Sequence, residues 1–184
     1  MFGGQFLESK ELTATVEEMD GVVSERSFEA LFQWLYLHVV KFGIEDPTEH
    51  ISASMELVRL ADKYRIVELE DEMAQYIKDI MIITPTWGRH FDTNTHYLTS
   101  EHVISAAVLH REHPVRRLFA AASVEGYLRS EYHKFADLYE DCPCFAADLL
   151  REVRMALNGV KPSKYTEFKD PVSGTMIEVN QDHD

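Results

Sequence analysis

Apolar residues recur at helical spacing most regularly over residues 55–80. Leu57, Leu60, Ala61 and Tyr64 fall at i, i+3, i+4 and i+7, a single stripe on a helix. Leu69, Met73, Tyr76, Ile77 and Ile80 make a second stripe. Between them, Arg65-Ile66-Val67 interrupts strong helix formers with β-branched residues, which predicts a break. Arg59, Asp62, Lys63, Glu68, Glu70 and Asp71 lie between the stripes and are expected to face water. Two short amphipathic helices joined this tightly pack as a helical hairpin.

The pattern on either side predicts further elements. Leu12, Ala14 and Val16 alternate with Thr13 and Thr15, the period of a short half-buried strand. Ser24 or Ser27 can cap the next helix, whose expected inner face is Phe28, Leu31, Phe32 and Leu35. Trp34 and Tyr36 are expected in the core as well. Residues 45–49, with Pro47, read as a turn before the hairpin. Residues 84–97 lose all periodicity and contain Pro85 and Gly88, so they read as a linker. Beyond it, Thr99 caps a helix with Val103, Ile104 and Ala107 inward. His113-Pro114 ends that helix and starts another, with Val115, Leu118, Phe119 and Ala122 as its stripe. A further helix over about 145–157 buries Phe145, Leu149, Val153 and Ala156. Residues 158–184 are polar and read as a mobile tail with one extended strip at 176–179. The fold class is α+β and mostly helical.

A chain of 184 residues can hold one domain or two small ones. Its net charge of -14 argues against nucleic acid, which needs clustered Lys and Arg, and against anionic membrane surfaces. No apolar run approaches the ~20 residues of a membrane-spanning helix, and no secretory signal is visible at the start. A cytoplasmic or nuclear location is therefore expected. Cys142 and Cys144 are too few and too close for a disulfide framework.

The candidate chemistry is sparse. His110-x-x-His113 with Cys142-x-Cys144 supplies zinc-type donors, but at a spacing outside the usual ligand patterns. The histidines fall at a helix end, where an imidazolium suits the dipole, so structural roles and no metal or other cofactor are expected. No nucleophile elbow, phosphate loop or His-Glu-x-x-His is present. Glu68, Glu70 and Asp71 read as a solvated helix face rather than paired acid–base groups.

Three segments carry a family resemblance. Ala61-Asp62-Lys63-Tyr64-Arg65-Ile66 followed by Leu69 resembles a signature of the BTB/POZ domain. Phe28-Glu29-Ala30-Leu31-Phe32-Gln33-Trp34-Leu35-Tyr36 is similar to the preceding helix of that family, and residues 1–9 to a segment further upstream. Fungal members are the most similar, and their helical extension resembles His113-Pro114-Val115-Arg116-Arg117-Leu118 and Phe145-Ala146-Ala147-Asp148-Leu149. In the family, a segment like residues 1–9 lies near the middle of the domain. The expectation is thus the C-terminal part of a BTB/POZ fold over 1–83, a linker over 84–97, a small helical bundle over 98–157 and a tail over 158–184.

The resemblance implies a non-catalytic protein–protein interaction module. It would self-associate, or act as an adaptor for a cullin ubiquitin ligase. Glu29, Gln33, Trp34 and His38 are the candidate partner-binding residues on the helix such members offer to a cullin. Two departures stand out: adaptor members carry an acid where Ala30 stands here, and the usual Tyr-Thr-Gly turn is replaced by Tyr36-Leu37-His38. The alternatives are a truncated, non-functional or interfering fragment, and a metal-assisted enzyme using His110, His113, Cys142 and Cys144.

Overall fold

The computed structural model describes residues 23–82, 94–130, 133–158 and 167–178. The strand expected at Leu12, Ala14 and Val16, and the family-like segment 1–9, lie outside them.

Helix α1, Glu25–Leu37, starts where Ser24 accepts the Ser27 N–H and Ser27 accepts back from the Ser24 N–H, a reciprocal capping box. It stops at His38, which turns left-handed with φ 49°. No regular structure follows until Asp46 caps α2, Pro47–Tyr64, by accepting the Glu49 N–H. Residues 45–49 are therefore a helix start and not the expected turn. Pro47 sits in the first turn, where a missing N–H leaves no bond unmade. Arg26 of α1 binds Glu49 and Glu56 of α2 and ties the two helices together.

The break between α2 and α3, Val67–Ile82, falls where the sequence placed it. Arg65 adopts φ 57°, its N–H bonds the Asp62 carbonyl, and the Ile66 N–H reaches the Ala61 carbonyl at 2.9 Å. These bonds satisfy carbonyls that a helix end would otherwise leave open. The two inner stripes meet in the hairpin. Leu57, Leu60, Leu69, Met73 and Ile77 have no exposed surface, and burying each such side chain is worth about 1.5–3 kcal/mol.

The C-terminal helices are α4, Ser100–Ala107; α5, Pro114–Ala122; α6, Val124–Arg129; α7, Leu138–Asp141; and α8, Pro143–Asn158. A two-stranded antiparallel sheet follows, β1, Glu167–Lys169, and β2, Met176–Glu178, with Phe168 opposite Ile177. The protein is α+β and mostly helical. Helix α5 lies centrally, packed on α3 on one side and α8 on the other. Arg116 on α5 clamps this arrangement. Its Nε donates to Asp148 of α8 at 2.6 Å, and one terminal nitrogen donates to the carbonyls of Ala107 and Leu109.

The apolar core runs unbroken from Leu31 and Trp34 through the hairpin to Phe119, Leu149 and Phe168. It crosses the expected domain boundary. Asn94 and Thr95, in the expected linker, are buried, and Asn94 donates to Asp170 at 3.0 Å. The expected mobile tail contains the β-hairpin, whose Phe168 is fully buried. Gly174 takes φ 74° in its turn, a conformation glycine adopts without strain.

Several faces differ from the periodic reading. Phe32, Leu35 and Tyr36 are exposed rather than inward, and Trp34 alone of the α1 aromatics is buried. On α4, Ala106 joins Val103 inside while Ile104 faces out. Among the described residues no helix is long and apolar enough to cross a membrane.

Candidate functional site

Among the described residues, a group of potential metal ligands lies where α3 meets the start of α5. His113 is the N-cap of α5 and its Nδ1 accepts the Val115 N–H at 3.1 Å. An imidazole accepting at Nδ1 and neutral elsewhere carries its proton on Nε2. The ring is fully buried and Nε2 has no hydrogen-bond partner. Glu70, in the first turn of α3, is also buried, with Oε2 3.1 Å from His110 Nε2. The two imidazole rings lie 5.1 Å apart, centre to centre. Burial pushes the His113 pKa down, with the Glu70 charge acting in the opposite sense.

Two expectations are corrected here. Glu70 turns inward, away from water. His113 occupies the N-terminal end of a helix, where the dipole disfavours an imidazolium, rather than the favourable C-terminal end. The four-donor set of the alternative metal-assisted reading, His110 and His113 with Cys142 and Cys144, does not assemble. Among the described residues, the only group of potential ligands is Glu70, His110 and His113, without Cys142 or Cys144.

A second pair escaped the sequence reading. Ser52 Oγ on α2 lies 2.8 Å from His102 Nε2 on α4, beside a cleft of about 420 Å³. It has the look of a nucleophile and its base, but the hydrogen bonds run the wrong way. His102 Nδ1 accepts the Thr99 N–H, so Nε2 is the protonated nitrogen and donates to Ser52. Ser52 in turn donates to the Thr48 carbonyl. His102 cannot take a proton from Ser52 while it holds the α4 cap, so the pair fastens α4 to α2.

The candidate partner-binding residues scatter. Glu29 is exposed, and Gln33 is half-buried, its Oε1 accepting the Lys41 N–H at 3.2 Å. His38 is exposed at the helix end. Trp34 is buried and donates Nε1–H to Glu72 of α3 at 2.7 Å, so it anchors α1 to the core and is not part of the outer surface.

The outer surface of α1 is instead apolar. Phe32 is 52% exposed, Leu35 49%, Tyr36 79% and Leu37 69%. Phe28, Phe32 and Tyr36 stack along it at i, i+4 and i+8, with ring centres 6.2 and 6.4 Å apart. This spacing was legible in the sequence; its direction was not.

Comparison with protein-family models, with curated proteins and with solved structures gives no match. The BTB/POZ resemblance thus stands on its short segments alone.

Proposed function

We propose that this protein is a non-catalytic protein–protein interaction module whose docking face is the aromatic side of α1. The observation that carries this reading is the exposed row of Phe32, Leu35, Tyr36 and Leu37. Contiguous exposed apolar side chains mark interaction surfaces, and aromatics dominate the binding energy of such surfaces. Glu25 and Glu29 flank the row and supply an acidic rim that selects partners of opposite charge. Trp34 and the Arg26 ion pairs hold α1 rigidly on the hairpin, which reduces the ordering cost of binding. The BTB/POZ resemblance supports the same reading and suggests the partner, a second copy or a cullin scaffold, in the cytoplasm or nucleus. The continuous core that joins Val23 and Leu31 to Phe168 and Val172 favours a folded module over an inert fragment.

The test is a Phe32→Ser/Tyr36→Ser double variant. Both side chains are exposed, so the melting temperature should change little. Self-association measured by light scattering, and binding to a purified cullin N-terminal region, should fall at least about tenfold in whichever mode operates. Glu29→Lys should weaken the same interaction less and alter its salt dependence. Wild type that stays monomeric and binds no cullin, or a double variant that binds as well as wild type, defeats the reading.

A further inference from the structure

We infer that Glu70, His110 and His113 bind a divalent transition metal, zinc by donor chemistry, at the junction of α3 and α5. Two imidazoles and a carboxylate are a donor set that zinc accepts. The spacing suits one ion, because a ligand atom of each residue lies within 4.8 Å of those of the other two. An independent observation points the same way. His113 is completely buried, yet its Nε2 has no partner. Buried polar atoms are nearly always partnered, and one that is not calls for an explanation. Glu70 is itself turned inward beside it, against the helical pattern that would place it in water. The His110 side chain is 49% exposed, which opens one side of the cluster to an incoming ion and to water as a further ligand.

Coordination has a structural consequence that identifies it. Without the ion, Nδ1 of His113 accepts the Val115 N–H and the ring proton sits on Nε2. An ion on Nε2 displaces that proton to Nδ1, where it faces the Val115 N–H, and the capping bond breaks. The lost cap weakens binding by about tenfold. In exchange, the ion joins the helical hairpin to the C-terminal bundle across two separate segments of chain. The site is therefore a staple whose occupancy loosens the first turn of α5.

The test uses the full, untagged chain, stripped with chelator and titrated with zinc chloride by calorimetry. One ion per chain is expected, together with a higher melting temperature and faster amide exchange at Val115. His110→Ala, at an exposed position, and Glu70→Gln should each weaken binding at least about tenfold. Cys142→Ser/Cys144→Ser should leave it unchanged, and cobalt substituted for zinc should show no sulfur-to-cobalt charge-transfer band. Absence of stoichiometric binding, unchanged affinity in His110→Ala, or a thiolate band with loss on the cysteine change overturns the inference.

Discussion

Arg116 shows how much can rest on one side chain. Its guanidinium spans α5, α8 and the end of α4, with Asp148 only 5% exposed beneath it. Removing Arg116 leaves Asp148 with Arg151 alone, 3.5 Å from its other oxygen, and leaves two carbonyls without their donor. Arg116→Ala should lower the unfolding free energy by about 2–3 kcal/mol, read from urea denaturation. Replacing both partners with apolar residues of similar size should cost much less. In the sequence Arg116 is one half of a basic pair, and nothing there separates it from Arg117, which lies 3.8 Å from Glu152 and is half-exposed.

His50, His102 and His113 carry the pH dependence at this scale. Burial lowers the pKa of all three imidazoles, so the native state favours their neutral forms. Around His102, Glu101 works against the shift and Lys134 with it. The stability they contribute is complete above the ordinary histidine value of about 6.5 and shrinks as pH falls below it toward the lowered native values. Glu152 runs the opposite way. Burial raises its pKa, so its contribution is full below the ordinary carboxylate value and is lost as pH rises through the raised one. The urea midpoint should drop between pH 7 and pH 5. Gln at position 102 can accept the Thr99 N–H without titrating, so His102→Gln should flatten that drop; an identical pH profile would remove His102 from the account.

At the scale of elements, the α2–α3 hairpin depends on a single left-handed residue. Arg65 adopts φ 57° although it has a Cβ, which is unfavourable by about 1 kcal/mol relative to glycine. Arg65→Gly should therefore raise stability by about 0.5–1 kcal/mol, less any added freedom of the unfolded chain. A lower melting temperature would show that the Arg65 side chain makes a contact worth more than the backbone relief. The helices themselves were legible because the 3.6-residue period is written into Leu57, Leu60, Leu69, Met73 and Ile77. The start of α2 was missed because Pro47 serves equally well in a turn and in a first helical turn, and only Asp46 accepting the Glu49 N–H decides between them. The direction of α1 was misjudged for a related reason. Its apolar residues occupy more than one side, and periodicity alone does not say which side meets the hairpin.

For the whole molecule, the hairpin and the C-terminal bundle share one core, and α5 packs on both. Unfolding should therefore be a single cooperative transition, with coincident midpoints by circular dichroism and tryptophan fluorescence. Cutting the chain after Asn158 removes the buried Phe168 and Val172 and leaves Asn94 without Asp170. Loss of a buried Phe alone costs about 3–5 kcal/mol, so this truncation should sharply lower or abolish the transition. If the truncated chain melts like the full one, the β-hairpin is an appendage.

The sequence by itself determined the helical class, the hairpin break over Arg65-Ile66-Val67, a serine cap at Ser24 or Ser27, the cap at Thr99, and the inner stripes of α3, α5 and α8. All of these depend on interactions within a few residues. The tertiary structure decided the rest. It turned Glu70 inward to His110, left His113 Nε2 buried without a partner, set the proton of His102 against Ser52, and brought residues 167–178 into the core. It also left the aromatic row of α1 outside. The contacts of Glu70 with His110, Ser52 with His102 and Asn94 with Asp170 join groups 40 or more positions apart in the chain, and local periodicity holds no record of which distant surface a side chain will meet.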